Sequence, residues 1–159
     1  MKTVAIIVIW MMCCFTGFYK TYLLKKRKEE LDSLIKTVEY FASSADYEKK
    51  TPKEVFATLP ESYKIPLTRA IEGSDDIYGA FKQANKNQSF INEKDFSILD
   101  MFFSSIGRSD LENQLSLVKK TITSLEENRE DARSIYNKYS RLYITSGILV
   151  GTLFVILMI

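Results

Sequence analysis

The charged residues of this chain are confined to its middle, and this distribution constrains the fold more strongly than any other feature. All acidic residues lie between Glu29 and Asp131, and all basic residues except Lys2 lie between Lys20 and Arg141. The two ends are therefore almost uncharged, whereas the middle has the composition of a water-soluble domain. This division predicts two membrane-spanning segments, one on each side of a folded domain.

The first apolar segment, residues 3–19, contains 17 uncharged residues. As a helix it would rise about 25 Å, slightly less than a hydrocarbon core of about 30 Å. Residues 22–24 lengthen the span while Lys20 extends its ammonium group to the interface. A cleaved signal peptide is the alternative, but no small-residue cleavage site follows, and basic residues occupy the place where cleavage would occur. We therefore expect an uncleaved transmembrane anchor over residues 1–24.

The second apolar segment, residues 142–159, contains 18 uncharged residues and would rise about 27 Å as a helix. Basic residues flank both segments on the side of the middle domain, and an excess of Lys and Arg is typical of the cytoplasmic side. We therefore expect a cytoplasmic domain over residues 25–141, a second anchor over residues 142–159 and both termini outside. The cluster beside the first segment, which sets this topology and can also bind anionic lipid headgroups, consists of Lys25, Lys26, Arg27 and Lys28.

The middle of the chain has helical periodicity. Apolar residues recur there at spacings of three and four, and no segment shows the alternation of a strand. We expect an all-α fold, an antiparallel bundle of about six helices flanked by two transmembrane helices. The predicted helices are one that continues from the first anchor to about Ser44, a short one that follows Thr51, residues 66–71, residues 76–85, one from the cap Asn92 to Gly107, and a last one from Ser109 into the second anchor.

Histidine and several sequence motifs that enzymes use are absent from the chain. The chain has no histidine, which excludes imidazole bases and mixed Cys/His zinc sites. Its two cysteines, Cys13 and Cys14, are adjacent within the first apolar segment. The motifs of phosphate-binding loops, dinucleotide-binding folds and nucleophile elbows are missing. We therefore expect no enzyme activity, no cofactor and no metal. Because acidic residues follow the basic cluster directly, we do not expect nucleic acid as a partner.

A short motif before the last helix resembles the signature of one family. Residues 107–110, Gly-Arg-Ser-Asp, followed by Gln114, are similar to the signature of the stage III sporulation protein AB family. The anchor at each end, the helical middle and Thr51-Pro52 agree with this resemblance, which covers essentially the whole chain. Lys53 departs from the family pattern, and residues 40–50 are longer than in that pattern.

The resemblance implies a non-enzymatic membrane protein of a sporulation complex between mother cell and forespore, in the mother-cell membrane around the forespore. The family looks like the platform proteins of type II secretion and type IV pilus machines, which meet a hexameric motor ATPase. The implied partners are therefore a motor ATPase and other membrane subunits of the complex, with a homo-oligomer as a further option. Two alternatives stay open: a structural membrane tether of the cell envelope, and a small membrane-active protein such as a holin.

Capping explains most of the family motif, but not Arg108. Gly107 ends one helix, Ser109 caps the next, and Glu112 completes a capping box. Arg108 either braces the bundle or contacts a partner. Both long helices leave the membrane together and extend about 40 Å from it, so we expect the motif at the end of the bundle farthest from the membrane. The candidate partner-binding residues are Arg108, Ser109, Asp110, Glu112 and Gln114.

Three glycines are candidates for packing between the two anchors. Gly147 and Gly151 are four residues apart in the second apolar segment, a spacing that allows another helix to approach closely. Gly17 of the first segment could face them. The same spacing also occurs by chance in apolar helices, so a role at the helix contact and no role at all both remain open.

Overall fold

The computed structural model describes residues 2–47, 51–88, 90–106 and 111–158, and every regular element in these ranges is helical. This confirms the predicted all-α fold and the number of helices. The elements, in chain order, are α1 (Lys2–Tyr47), α2 (Pro52–Ala57), a 3₁₀ turn (Glu61–Tyr63), α3 (Pro66–Ile71), α4 (Ile77–Gln88), α5 (Glu93–Ser105) and α6 (Leu111–Met158).

Capping side chains start the short helices where the sequence predicts. The Oγ1 of Thr51 accepts a hydrogen bond from the Glu54 backbone N–H, and a Glu54 carboxylate oxygen accepts one from the Thr51 N–H. Asn92 and Asp95 form the same reciprocal pair at α5, at 2.9 and 3.1 Å. Each pair satisfies two donors that the first turn of a helix would otherwise leave without an acceptor.

The chain divides into two compact units. Residues Glu29–Glu130 form one unit, which we call the bundle unit, and Met1–Lys28 with Asp131–Ile159 form the other, which we call the paired-helix unit. The bundle unit contains all the short helices, together with one part of α1 and one part of α6. It falls within residues 25–141, the range that the sequence assigns to the cytoplasmic domain.

The core of the bundle unit is rich in phenylalanine. Phe41 of α1 meets Phe102 of α5 edge-on at 5.7 Å between ring centroids, and Phe81 of α4 stacks on Phe103 at 4.5 Å. Phe56 of α2 contacts both Phe41 and Phe103. Burying a side chain of this size contributes about 1.5–3 kcal/mol. The aromatic contacts therefore join four helices into one core.

The buried stripe of α6 differs in detail from the predicted one. The sequence places Val118, Ile122 and Leu125 on the buried face, whereas the structure buries Val118, Thr121 and Leu125 and leaves Ile122 half-exposed. An α-helix has 3.6 residues per turn, so either of two adjacent positions can occupy one place on the buried face. Thr121 occupies that place, although a periodicity argument favours the more apolar Ile122.

Candidate functional site

Most of the candidate partner-binding residues lie outside the described part of the chain. Arg108, Ser109 and Asp110 are not among the described residues. Glu112 belongs to the first turn of α6, but its side chain is not described. Gln114 lies in the next turn and is half-buried. The described residues therefore delimit the two ends of this segment: Ile106 precedes it and Leu111 follows it.

A cavity lies beside the residues that lead into this segment. The backbone N–H of Ile106 donates to the Phe102 carbonyl at 3.1 Å, which closes the last turn of α5. Ile106 and Ser104 line a cavity of about 290 Å³, together with residues at the N-terminal ends of α2 and α4. The chain enters the motif segment from a concave surface.

The rim of this cavity carries a charged pair and a helix cap. Lys53 forms an ion pair with Asp75, and the hydrogen bond from Lys53 lowers the pKa of the Asp75 carboxyl below its usual value. The neighbouring Asp76 carboxylate accepts a hydrogen bond from the Gly79 backbone N–H at 2.9 Å, which caps α4. Both acidic residues thus have a local structural role.

A second charged cluster lies on the surface between the 3₁₀ turn and α3. The Lys64 ammonium lies 2.8 Å from a Glu72 oxygen and 3.3 Å from a Glu61 oxygen, and Arg69 lies 2.8 Å from Glu61. The hydrogen bond to Glu72 is the main cause of the raised pKa of Lys64. The hydrogen bond from Lys64 is the main cause of the lowered pKa of Glu61. This cluster was not predicted from the sequence, in which only the spacing of Glu61 and Lys64 could have indicated it.

Two buried carboxylates hold distant parts of the bundle unit together. Glu30 of α1 is 5% exposed and accepts a hydrogen bond from the Phe90 backbone N–H at 2.7 Å. Asp95 of α5 is fully buried and accepts one from the Asn128 side-chain amide of α6 at 2.8 Å. Buried carboxylates are costly unless they accept hydrogen bonds. The bond to Glu30 positions the segment before α5 against α1, and the bond to Asp95 positions the first turn of α5 against α6. Neither residue was assigned a role from the sequence.

In the paired-helix unit, the three glycines lie where α1 and α6 approach each other most closely. A Cβ atom added to Gly17 would lie 2.5 Å from the Tyr143 carbonyl oxygen, and one added to Gly147 would lie 3.0 Å from the Cys13 carbonyl oxygen. A Cβ at Gly151 would lie 2.9 Å from Trp10 Cδ1. The structure therefore brings all three glycines to the contact between the antiparallel helices.

The basic residues beside this contact lie among tyrosines. Lys26 lies 5.7 Å from the centre of the Tyr22 ring on α1, and Lys138 lies 5.3 Å from the centre of the Tyr139 ring on α6. Lys25 is exposed, whereas Lys26, Arg27 and Lys28 are half-buried. Tyrosine beside Lys or Arg is typical of a membrane–water interface, because each has an apolar body and a polar tip.

Both long helices are apolar and exposed enough to span a membrane. An 18-residue stretch that meets this criterion lies within Ile6–Ser44 of α1, and another lies within Asn113–Leu157 of α6. Only 6% of each stretch is buried. The core helix of a soluble protein would be mostly buried, so this exposure favours contact with lipid.

Comparison with known proteins identifies one family. The family model of stage III sporulation protein AB matches residues 2–159, nearly the whole chain. No curated protein and no solved structure matches the chain. Within the described ranges, no group of three or more Cys, Asp or Glu side chains could hold a metal ion.

Proposed function

Because the chain belongs to the stage III sporulation protein AB family, we propose that this sporulation protein is a non-enzymatic platform of a secretion-like complex. Residues 1–24 and 142–159 anchor it in the mother-cell membrane around the forespore. Residues 25–141 form its cytoplasmic domain, and both termini lie outside. The domain docks a motor ATPase and contacts other membrane subunits of the complex.

One observation supports this proposal most directly: along each long helix, the apolar side chains are buried in one part and exposed in another. Leu31, Leu34 and Val38 of α1 are buried in the bundle unit, whereas Met12 and Phe15 of the same helix are more than half exposed. An exposed apolar helix requires lipid or a protein partner, and a capped helical bundle does not. This supports a folded domain fixed to a membrane by its own first and last helices.

Residues Arg108, Ser109, Asp110, Glu112 and Gln114 are the proposed ATPase-binding surface. Helix capping accounts for the types of residue at positions 107, 109 and 112, but it does not require an arginine at position 108. Ile106, the last described residue before this segment in the chain, lines a cavity. An arginine suits a partner with surface carboxylates, because its guanidinium can bind a carboxylate with two parallel hydrogen bonds.

The test is a charge reversal in the full-length protein, Arg108→Glu, followed by co-purification with the motor ATPase of the same complex. Lys119→Glu is the matched control, because Lys119 is an exposed cation on α6 and no acidic partner is described for it. The proposal predicts that Arg108→Glu alone loses the ATPase while the thermal unfolding of the domain is unchanged. Unchanged binding by a normally folded Arg108→Glu protein would reject the docking surface.

A structural tether of the cell envelope is the alternative function. Such a tether would bind its partners through the two long helices and would tolerate alteration of the short ones. Replacing exposed residues of α2 and α3, such as Lys53 and Arg69, therefore distinguishes a platform from a tether. If the protein is a platform whose short helices contact the complex, cells with these variants should fail to form spores. If it is a tether, they should form spores normally.

A further inference from the structure

A groove runs along the contact between α1 and α6 in the paired-helix unit. It has a volume of about 370 Å³, and both helices contribute to its lining. Gly17 and Gly147 belong to its lining, and a Cβ atom at either position would meet the backbone of the opposite helix. Cys13 and Val150 lie at one end, and Lys20 lies at the other.

The aliphatic hydroxyl groups in the wall of this groove, those of Thr16 and Ser146, are satisfied within the wall. Thr16 Oγ1 donates to the Met12 carbonyl at 2.9 Å, and Ser146 Oγ donates to the Tyr143 carbonyl at 3.2 Å. Each hydroxyl therefore bonds to the backbone of its own helix. Apart from Lys20 and the Tyr143 side chain, the groups that line the groove are therefore apolar or have their hydroxyl bonded within the wall, which suits hydrocarbon.

The Lys20 end of the groove carries positive charge. Thr21 Oγ1 lies 3.2 Å from the Ser140 carbonyl, and this contact sets the register of the two helices. Lys20 precedes Thr21 and Arg141 follows Ser140 in the chain. Because the two helices are antiparallel, the two cations lie at the same level of the helix pair. Both are exposed, and in the part of the chain that the structure describes neither has an acidic partner.

We propose that this groove binds one anionic phospholipid. The phosphate lies at Lys20, with Arg141 at the same level, and one acyl chain lies along Gly17 and Gly147 toward Cys13 and Val150. The groove is cationic at one end and apolar at the other, which matches a lipid in the membrane leaflet on the side of the basic residues. The headgroup then lies at the cations and the acyl chain lies in the apolar part. Basic pockets between transmembrane helices on the cytoplasmic side are known to bind such headgroups.

The cross-section of the groove is sufficient for one acyl chain. From Cys13 to Lys20 the helix rises about 10 Å. With a volume of about 370 Å³, the groove has a mean cross-section of about 35 Å². The inference rests on insertion of both helices in the membrane, but not on docking of an ATPase.

The experiment measures lipid retained by the full-length protein. The protein is reconstituted with equal amounts of phosphatidylglycerol and phosphatidylcholine, re-extracted in mild detergent and examined by native mass spectrometry. We expect one retained phosphatidylglycerol. Lys20→Gln should lower its retention about fivefold, Lys20→Arg should restore it, and Ser146→Leu should remove it by filling the groove. Lys138→Gln, the matched loss of one charge on the same flank outside the groove, should have little effect.

Three results would overturn the proposal. Equal loss in Lys20→Gln and Lys138→Gln would indicate diffuse attraction to the membrane surface. Equal retention of phosphatidylcholine and phosphatidylglycerol would indicate a groove without charge selectivity. Disulfide-linked dimers of Ser146→Cys would identify a second copy as the occupant. Extraction of each variant by alkaline carbonate checks membrane insertion separately, so that a failure of the lipid site is distinguished from a failure of the anchors.

Discussion

The side-chain amide of Asn128 donates a hydrogen bond to Oδ1 of Asp95 over 2.8 Å, and Asp95 has no exposed surface at all. This bond connects α6 to the cap of α5. The same carboxylate accepts a hydrogen bond from the Asn92 N–H. One carboxylate therefore both starts a helix and fixes that helix against its neighbour.

Replacing Asn128 by Ala should destabilise the bundle unit by about 1–3 kcal/mol, because a buried charged oxygen loses a donor. Urea unfolding followed by circular dichroism measures the change. Asn113→Ala is the control, since Asn113 is exposed on the same helix. Equal effects of the two substitutions would show that the bond to Asp95 contributes nothing beyond helix propensity.

A fragment of residues 31–138, without the apolar segments, should be soluble and mostly helical. It retains the phenylalanine core and the caps at Thr51 and Asn92. A domain of this size has a free energy of unfolding of about 5–15 kcal/mol, and Thr51→Ala should lower it by about 1 kcal/mol. Circular dichroism with thermal melting tests this, and a strong β signal or a non-cooperative melt would contradict the bundle.

Cysteine labelling in intact, non-sporulating cells that express the protein should show the central domain inside and both termini outside. After Cys13 and Cys14 are replaced by alanine, a cysteine at Thr3 or one added after Ile159 should react with a membrane-impermeant maleimide, and Ser62→Cys should react only after permeabilisation. The reason is the excess of Lys and Arg on the side of the middle domain. Reaction of Ser62→Cys in intact cells would reverse the topology.

Gly151→Cys should form a disulfide with Cys13. A Cβ at position 151 would lie 3.4 Å from the Cys13 Cβ, close to the separation of about 3.5–4.5 Å found in disulfides. Thiol counting by alkylation and mass spectrometry, in a chain with Cys14→Ala, measures the yield. Ile148→Cys, which is exposed on α6, is the control that should stay reduced. Similar yields at the two positions would contradict the packing of the helix pair.

The Glu61–Lys64 pair should make stability depend on pH in the acidic range. The hydrogen bond from Lys64 lowers the pKa of Glu61 below its ordinary value of 4.5. The stabilisation is therefore present above that value and is lost as the pH falls through the lower pKa of the folded state. Glu61→Gln should lower the melting temperature at neutral pH, and this difference should disappear in acid. A difference that persists at low pH would assign the effect to packing instead.

The features that the sequence predicted correctly are local ones. The caps at Thr51 and Asn92 and the helix that begins at Pro66 depend on residues three or four positions apart, and the structure has all of them. The predicted end of α1 near Ser44 is three residues short of Tyr47. The 3₁₀ turn between Pro60 and Pro66 was not predicted, because prolines indicate an interruption without specifying its geometry.

The features that were missed depend on residues far apart in the chain. The sequence gives no sign that Glu30 and Asp95 are buried. Phe90 and Asn128, which lie far from them in the chain, supply the hydrogen-bond donors that make their burial possible. Thr121 displaced Ile122 from the core for a similar reason, since the exact rotation of α6 is set by the helices packed against it. Of the candidate site, the sequence indicated the three glycines as possible packing positions, with no role equally open, and gave no indication of the groove beside them.

The ion pair between Asp32 and Arg129 has a consequence for biosynthesis. It joins the first and last helices of the bundle unit at 3.7 Å, although nearly the whole bundle sequence separates the two residues. During translation the apolar stripe of Leu31, Leu34 and Val38 therefore emerges long before α6 is made. A ribosome that stops before α6 would release a membrane-tethered product with this stripe uncovered. Such a product is a target for chaperones and proteases, so incomplete copies would be removed before they could enter an assembly.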